Sequence, residues 1–172
     1  MAGPRFPLSL LTPSHDVSAF TCGTRPGAKE IDDYLRVRAL AEQTAGLSAV
    51  WVATDPLVEG RERRIAGYLT LSPLSIQISP TVLGHLGIQS PYRLVGGYLL
   101  GRLGVAEHLQ TQGLGPILVA AAIKIAKQAS REVGGAFLAV DPKSDGLLTW
   151  YESLDFGFDR IDPARRRLVL KL

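Results

Sequence analysis

The chain has 172 residues, of which 46% are hydrophobic and 20% are charged, and its formal net charge is +3. This composition is typical of a folded domain, since a disordered chain has fewer apolar residues and a larger net charge. The single cysteine excludes an intramolecular disulfide and a cysteine-based zinc site. We therefore predict one domain over residues 1–172, in a reducing cytoplasm and without a membrane segment.

The N-terminal part of the chain predicts a strand followed by a helix. Residues 1–15 contain a short apolar patch among prolines and have no small-residue cleavage pattern, which favours a strand over a signal peptide. Residues 20–43 open with turn-forming residues and then place Ile31, Leu35 and Leu40 on an imperfect apolar stripe. This spacing predicts an amphipathic helix.

Two strands and a loop are predicted next. Residues 47–56 are rich in strand-forming residues, and residues 62–78 form a second such run that we expect to be interrupted at Pro73. Proline, glycine and serine punctuate residues 79–91, which predicts a loop with one helical turn over residues 81–86.

Residues 98–108 form a third apolar run, typical of a strand that is covered on both faces. The run contains Gly101 and Gly104, which are unusual in a central strand. A glycine in such a place indicates a β-bulge or the close approach of another backbone or a ligand. We expect one of these features near Gly104.

The clearest helix of the chain follows residue 116 and ends at Gly134 and Gly135. Its apolar positions share one face, namely Leu118, Ala122, Ile125, Ala129 and Val133.

The C-terminal part predicts a short buried strand over residues 136–142, a short helix over residues 143–154 and a final strand over residues 166–172. Ser144 is the predicted N-cap of that helix. Taken in order, the elements predict an α/β fold around one central mixed β-sheet with flanking helices.

The stretch HLQTQGLG, residues 108–115, places two glutamines and two glycines between a predicted strand and a predicted helix. The first N–H groups of a helix have no partner inside it and the helix dipole is positive there, so an anion can bind at this end. Pro116 suits the first helical position, where its missing N–H is not needed. From the residues alone, the stretch is either a tight turn with nothing bound or a cradle of N–H groups for a phosphate. It is neither a P-loop nor a dinucleotide fingerprint.

The residues QTQGLG at 110–115 resemble the pyrophosphate loop of the GNAT superfamily of acyl-CoA-dependent N-acetyltransferases, which reads Arg/Gln-x-x-Gly-x-Gly/Ala. The similarity continues on both sides: LLGRLGVAEH resembles the strand before that loop, FLAVD the next strand, and TWYESLDF the Phe-Tyr-x-x-x-Gly-Phe helix end. The opening FTCGTRPGAKEIDDYLRVRALAEQTAGLSAVWVATD is similar to one subgroup, the GNAT toxins of bacterial toxin–antitoxin pairs. The resemblance spans residues 20–172.

This resemblance implies a single GNAT-like domain whose bulged strand, near Gly104, splays from its neighbour at an acetyl-CoA site. The backbone at the bulge would pair with the pantetheine arm, and the loop would hold the pyrophosphate. The resemblance implies acetyl-CoA as a co-substrate and no metal. It assigns cofactor binding to Leu103, Gly104, Val105, Gln110, Thr111, Gln112, Gly113, Leu114, Gly115 and Pro116.

Three positions depart from the pattern of the family. Pro116 stands where arginine or lysine is frequent, which removes a phosphate donor, and Gly104 stands where the subgroup usually has alanine. Asp155 stands where the Gly-Phe pair usually has its glycine, which leaves the conformation after the last helix open, although Gly157 and Phe158 follow.

Tyr151 is the candidate catalytic residue, because the matching tyrosine of the superfamily points at the thioester sulfur. A phenol of pKa about 10 is a reasonable proton donor to a thiolate of pKa about 8.5. The alternative is a tyrosine that anchors its helix in the core. No histidine pair or carboxylate cluster suggests a metal, and we assign no general base.

The toxin subgroup implies an acetyltransferase that modifies the α-amine of an aminoacyl-tRNA and so blocks translation. It also implies a ribbon-helix-helix antitoxin as partner, and a homodimer is a further possibility. Basic residues suit phosphate contacts, although solvated turns or strand ends are the plainer interpretation of the clusters at Arg61, Arg63 and Arg64 and at 165–167. The candidate tRNA contacts are Arg93, Arg102, Lys124, Lys143, Arg165, Arg166 and Arg167.

Two other functions stay open at this point. The first is acetylation of a small amine or of a protein N-terminus. The second is a module that binds coenzyme A without catalysis, and the intact loop together with Tyr151 argues against it.

Overall fold

The computed structural model describes residues 6–55, 64–162 and 164–172. Arg61 and Arg63 of the first arginine cluster therefore lie outside the described residues. The chain divides into two compact units. The first unit comprises Met1–Thr70 with Arg102–Val119, and the second comprises Leu71–Gly101 with Ala120–Leu172.

Within the described residues, seven strands form one mixed sheet in the order β1-β2-β3-β4-β5-β7-β6. β1 pairs antiparallel with β2, β4 pairs parallel with β5, and β5 and β6 both pair antiparallel with β7. This arrangement confirms the predicted α/β class with a central mixed sheet. The strands are β1 (Leu8–Leu10), β2 (Ala49–Thr54), β3 (Ile65–Gln77), β4 (Leu94–Val105), β5 (Phe137–Val140), β6 (Asp159–Arg160) and β7 (Leu168–Lys171).

Five α-helices are found in the described part of the chain, and a π-helical segment, Tyr34–Arg38, joins the first two. A 3₁₀ turn, Glu107–Leu109, lies between β4 and the longest helix. No helix among the described residues is both long and apolar enough to cross a membrane. The helices are α1 (Ala28–Asp33), α2 (Ala39–Thr44), α3 (Pro80–His85), α4 (Leu114–Val133) and α5 (Asp145–Ser153).

Aromatic side chains form the centre of the first unit. The Tyr34 ring stacks on the Tyr68 ring with centroids 6.4 Å apart, and Phe20 meets Tyr68 edge-on at 5.5 Å. All three side chains are buried. In the predicted stripe of the helical run, Leu40 is 37% exposed because Ala39, one residue earlier, takes the buried position.

β5 is the centre of the second unit. All four of its residues are buried, as predicted, and Phe137 packs in an apolar cluster with Val95 and Val169. A Cβ on Gly97 would come 2.5 Å from the carbonyl oxygen of Phe137. Only glycine permits so close an approach between these neighbouring strands.

Three local predictions are wrong. β3 continues through Pro73. The six residues of β2 cannot pair with all thirteen residues of β3, so proline can occupy a position whose N–H has no partner strand. α4 begins at Leu114, so Pro116 is its third residue and not the first as predicted. At the other end, Val133 is 80% exposed although it was predicted on the apolar face. The buried face of α4 includes Leu114 instead.

Candidate functional site

The loop before α4 turns through left-handed backbone. After the 3₁₀ turn, Gln110 is extended, Thr111 has a φ of 67° and Gly113 has a φ of 84°. A positive φ is sterically unfavourable for residues with a Cβ, whereas glycine adopts it freely. The turn itself therefore requires Gly113, whether or not an anion binds here.

The start of α4 offers N–H groups to an anion. Gly113, Leu114 and Gly115 lie at the start of the first turn, where backbone N–H groups have no partner inside the helix. Pro116 contributes no N–H, so the cradle has one donor fewer. A Cβ on Gly113 would meet none of the described atoms within 4 Å, so the space beside the turn is open to a ligand. The geometry fits a pyrophosphate cradle, and binding itself stays a prediction.

The side chain of Gln110 supports the loop from inside. Its amide donates to the carbonyl oxygen of Cys22 at 2.9 Å and to that of Val105 at 3.1 Å. The amide of Gln112 likewise donates to the carbonyl oxygen of His108 at 2.9 Å. Both glutamine side chains thus stabilise the backbone of the loop. Since the side-chain amide of Gln110 is used in this way, only its main chain remains for the predicted contact with a cofactor.

A buried carboxylate that the sequence analysis missed holds the turn bound by Gln110. Asp32 is 5% exposed, and it accepts hydrogen bonds from the Thr21 hydroxyl at 2.9 Å and from the Cys22 N–H at 2.8 Å. Arg36 approaches Asp32 to 3.9 Å and donates to the carbonyl oxygen of Phe20. α1 is therefore connected to the loop through the turn at residues 20–23 and Gln110.

The Cys22 thiol is not a nucleophile in this setting. Burial, with the nearby Asp32 carboxylate as a second cause, raises the pKa of the Cys22 thiol to about 12. The thiol therefore stays protonated at neutral pH. Its position in a turn held by Asp32 indicates a structural role.

Gly104 is required by close packing. A Cβ at this position would lie 2.8 Å from side-chain carbons of Ile31 and Tyr68 and 3.2 Å from Phe20. Alanine, which the toxin subgroup usually has here, would clash with these side chains. The aromatic centre of the first unit thus accounts for this departure.

Leu103 and Val105 are half-buried residues of β4. β4 pairs with β5 at Tyr98, Leu99 and Leu100 and then extends to Val105. An extended ligand can add to backbone groups of such a strand, which is the role predicted for the pantetheine arm.

Tyr151 lies in the second unit on α5. The Ser144 side chain accepts a hydrogen bond from the Leu147 N–H at 3.2 Å, which confirms the predicted N-cap. Leu148 shares the buried face with Tyr151, whereas Leu147 is 46% exposed. The Tyr151 ring meets Trp150 edge-on at 4.8 Å, and burial raises the pKa of its phenol. The phenol is therefore fully protonated at neutral pH, as a proton donor must be.

Asp155 directly follows the C-cap of α5 and has a φ of 55°. This is the left-handed conformation that a glycine adopts without strain. The backbone therefore keeps the shape for which the family usually has glycine, and the substitution by aspartate introduces strain instead of a new conformation.

The arginines at 165–167 are paired with aspartates. Arg167 donates two hydrogen bonds to Asp141, of 2.7 and 2.6 Å, and Arg166 donates one to Asp145 at 2.8 Å. These residues line a cavity of about 480 Å³ in the second unit. Since the carboxylates balance the guanidinium charges, these arginines attract a phosphate less than unpaired arginines would.

The other candidate cations differ in their surroundings. Arg93, Lys124 and Lys143 are exposed side chains of the second unit. Arg102, in the first unit, is half-buried, and its guanidinium carbon lies 3.7 Å from the centroid of the Tyr34 ring. Only Arg102 among these four has its guanidinium or ammonium group fixed against an aromatic ring within the described residues.

Comparison with known proteins identifies relatives along almost the whole chain. A sequence model of the acetyltransferase (GNAT) family matches residues 34–158. A tRNA-acetylating toxin of Mycobacterium tuberculosis (strain ATCC 25618 / H37Rv) is 30% identical over 161 residues, which cover 94% of this chain and 90% of the relative.

Solved structures agree with the fold. A structure of AtaT complexed with acetyl-methionyl-tRNAfMet superposes with a TM-score of 0.81 at 24% identity, and covers 96% of this chain and 94% of that chain. A tyrosine-to-phenylalanine mutant of the AtaT toxin, bound to the C-terminus of the antitoxin AtaR and acetyl-CoA, gives a TM-score of 0.75 at 22% identity, and covers 98% and 94%. At these identities, the likeness establishes the fold.

Proposed function

Because this chain belongs to the GNAT family of acetyltransferases, we propose that it transfers the acetyl group of acetyl-CoA to the α-amine of an aminoacyl-tRNA and so acts as a translation-blocking toxin. The observation that carries the proposal is the 30% identity with a tRNA-acetylating toxin over 94% of this chain. The fold likeness to AtaT complexed with acetyl-methionyl-tRNAfMet supports the same acceptor.

The residues of the first unit suit acetyl-CoA. The N–H groups at the start of α4 would bind the pyrophosphate, and the open space at Gly113 would admit it. The backbone of Leu103 and Val105 would hold the pantetheine arm as an added strand. The hydrogen bonds of the Gln110 side chain would hold the end of β4 and the loop in fixed positions while acetyl-CoA is bound to both.

The transfer reaction requires few protein groups. Acetyl-CoA supplies an activated acetyl group, and transfer forms an amide bond as the carbon–sulfur bond breaks. The attacking amine must be neutral, and its proton leaves to solvent because the electron-withdrawing ester of an aminoacyl-tRNA already lowers the amine pKa. We propose that the Tyr151 hydroxyl donates its proton to the departing thiolate. Solvent then reprotonates the Tyr151 phenolate, which balances the proton given to the thiolate. Burial raises the pKa of the phenol and so favours this return to the protonated form.

We further propose an antitoxin as a partner, on the resemblance to toxins of toxin–antitoxin pairs and on the likeness to AtaT bound to the C-terminus of AtaR. The site of action would be the cytoplasm, where aminoacyl-tRNA is found and where a single unpaired cysteine is expected.

The proposal is tested by incubating the protein with radiolabelled acetyl-CoA and a total pool of charged tRNA. Label should enter the tRNA fraction and should be released as an N-acetyl amino acid when the ester is hydrolysed. The same pool, deacylated beforehand, is the control and should stay unlabelled. Label transferred equally to deacylated tRNA, or only to polyamines or protein N-termini, would reject the proposed acceptor.

A further inference from the structure

The Arg102 guanidinium lies over a buried aromatic ring. Its guanidinium carbon lies 3.7 Å from the centroid of the Tyr34 ring, and Tyr34 is 0% exposed. The Tyr34 ring is itself fixed, because it stacks on Tyr68 and its hydroxyl donates to Glu42 at 2.9 Å. The contact with the ring limits where the guanidinium can lie, and its N–H donors are arranged in the plane of the group as a fixed fork.

A second cation shares the same ring. The guanidinium carbon of Arg38 lies 5.4 Å from the Tyr34 centroid. The π-helical segment carries both Tyr34 and Arg38. Its widened turn is closed by the hydrogen bond from the Ala39 N–H to the Tyr34 carbonyl oxygen, and Arg38 lies at the end of that turn. In the described part of the chain, neither Arg102 nor Arg38 forms an ion pair, whereas the neighbouring Arg36 faces Asp32.

Two guanidinium groups near one ring carry like charges, and an anion that contacts both lowers their repulsion. The planar edge of a stacked guanidinium is matched to the oxygens of a phosphodiester. We propose that Arg102 and Arg38 form a binding site for the phosphodiester next to the 3′-terminal nucleotide of the acceptor RNA, an inference that rests on the proposed function.

The position of Arg102 on β4 selects this phosphodiester. Arg102 and Gly104 are two residues apart and face the same side of the strand, which separates them by about 6–7 Å. Leu103 and Val105 flank Gly104 and are the residues proposed to hold the arm that carries the acetyl group. The amino acid is esterified to the terminal ribose, so the phosphodiester on that nucleotide is the one nearest to the attacking amine.

The test compares three variants in steady-state kinetics with aminoacyl-tRNA. Arg102→Met should raise the KM for aminoacyl-tRNA by about ten- to a hundredfold, because a charge-assisted fork of hydrogen bonds is lost. Arg102→Lys should recover only part of this effect, since lysine keeps the charge but neither the plane nor the fork. Arg38→Met should raise the KM by a smaller factor. The matched control is Arg131→Met, an exposed arginine in the last turn of α4, which should leave the KM unchanged.

Two further measurements separate phosphate binding from packing. The affinity for acetyl-CoA should be the same in Arg102→Met and the wild type, and the logarithmic salt slope of RNA binding should fall by about 0.7 for each lost phosphate contact. An unchanged KM in both Arg102 variants, or a parallel loss of acetyl-CoA affinity, would overturn the site. If Arg102→Met does not fold, Arg102→Lys and Arg38→Met decide, and wild-type KM values in both would overturn the site.

A direct binding assay distinguishes failure of this site from failure of the proposed function. The probe is a 5′-phosphorylated CCA trinucleotide, followed by fluorescence anisotropy. Binding that weakens at least tenfold in Arg102→Met supports the site even if no charged tRNA is acetylated. Equal binding by both proteins, or no binding by the wild type, overturns it even if aminoacyl-tRNA is a substrate.

Discussion

Two glycines of the candidate site are constrained in opposite ways. Gly104 has an ordinary place in a strand but no room for a Cβ, because Ile31 and Tyr68 lie 2.8 Å from where it would be. Gly113 has open space around it but a φ of 84°, which residues with a Cβ rarely adopt. Their substitution should therefore have different consequences, with packing lost at Gly104 and the loop altered at Gly113.

Gly113→Val should weaken acetyl-CoA binding more than tenfold in calorimetry. The side chain would both strain the turn, by about 1–2 kcal/mol, and enter the space predicted for the pyrophosphate. Gly46 is a matched control, since its φ is 72° and its surroundings are equally open. Gly46→Val should have a similar effect on stability and none on affinity. Equal acetyl-CoA affinities of the Gly113 variant and the wild type would remove the loop from the site.

Tyr151→Phe should lower kcat by about 10²–10⁴-fold with little change in KM, because it removes the proton donor and keeps the ring that packs on Trp150. Burial raises the pKa of Tyr151, so its ionisation should cause no loss of kcat up to at least pH 10, the value of about 10 being that of an ordinary phenol. The pH profile of the wild type measures this. Wild-type turnover in the phenylalanine variant would instead make Tyr151 a core residue.

Asp155→Gly should stabilise the protein by about 1 kcal/mol in denaturant unfolding, because glycine adopts the left-handed backbone after α5 without strain. Asp155→Ala keeps a Cβ in the same conformation and should bring no such gain. A stability of the glycine variant below that of the wild type would show that the aspartate side chain makes a compensating contact.

At the scale of the element, the connection between α1 and the loop offers a separate test. Gln110→Ala removes the donor to the Cys22 and Val105 carbonyl oxygens, which should destabilise the protein by about 1–2 kcal/mol and weaken acetyl-CoA binding. Gln112→Ala removes only a bond to the exposed His108 and should change both quantities little. Calorimetry and thermal unfolding of the two variants measure the difference. Acetyl-CoA affinity that falls no further in the first variant than in the second would contradict a supporting role for Gln110.

The elements that the sequence predicts well are those whose pattern is local. The short continuous apolar run predicted β5, and the serine before a helical run predicted the N-cap of α5. β6 has two residues and the 3₁₀ turn three, too few for a periodicity to develop. Pro73 misled the prediction because proline argues against a central strand only where a neighbouring strand would accept the hydrogen bond from that N–H.

The site was predictable to the extent that its residues are contiguous. The glycine at 113 and the helix start beside it follow from one short stretch. Asp32 was missed, because a carboxylate in a helical run is expected on the solvated face, and its partners at the turn of Thr21 and Cys22 lie in another segment. The stack of Arg102 on Tyr34 also joins distant segments that no spacing rule connects.

For the molecule as a whole, the net charge of +3 does not show that some basic side chains are paired with carboxylates while others are not. The guanidinium groups of Arg166 and Arg167 are neutralised by Asp145 and Asp141. In the described residues, Arg102 is half-buried and fixed on Tyr34 without a carboxylate partner. Recognition of RNA should therefore depend on a few placed cations more than on the overall charge.

The proposed acceptor of the acetyl group is an amino acid esterified to tRNA. The most direct measurement is kcat/KM for acetylation of one amino acid in two forms, free and attached to its tRNA, at the same acetyl-CoA concentration. We expect the charged tRNA to be far the better acceptor and the free amino acid to be acetylated negligibly, because contacts with the RNA body position the amine. Comparable values of kcat/KM for the two forms would contradict it and would identify the protein as an acetyltransferase for small amines.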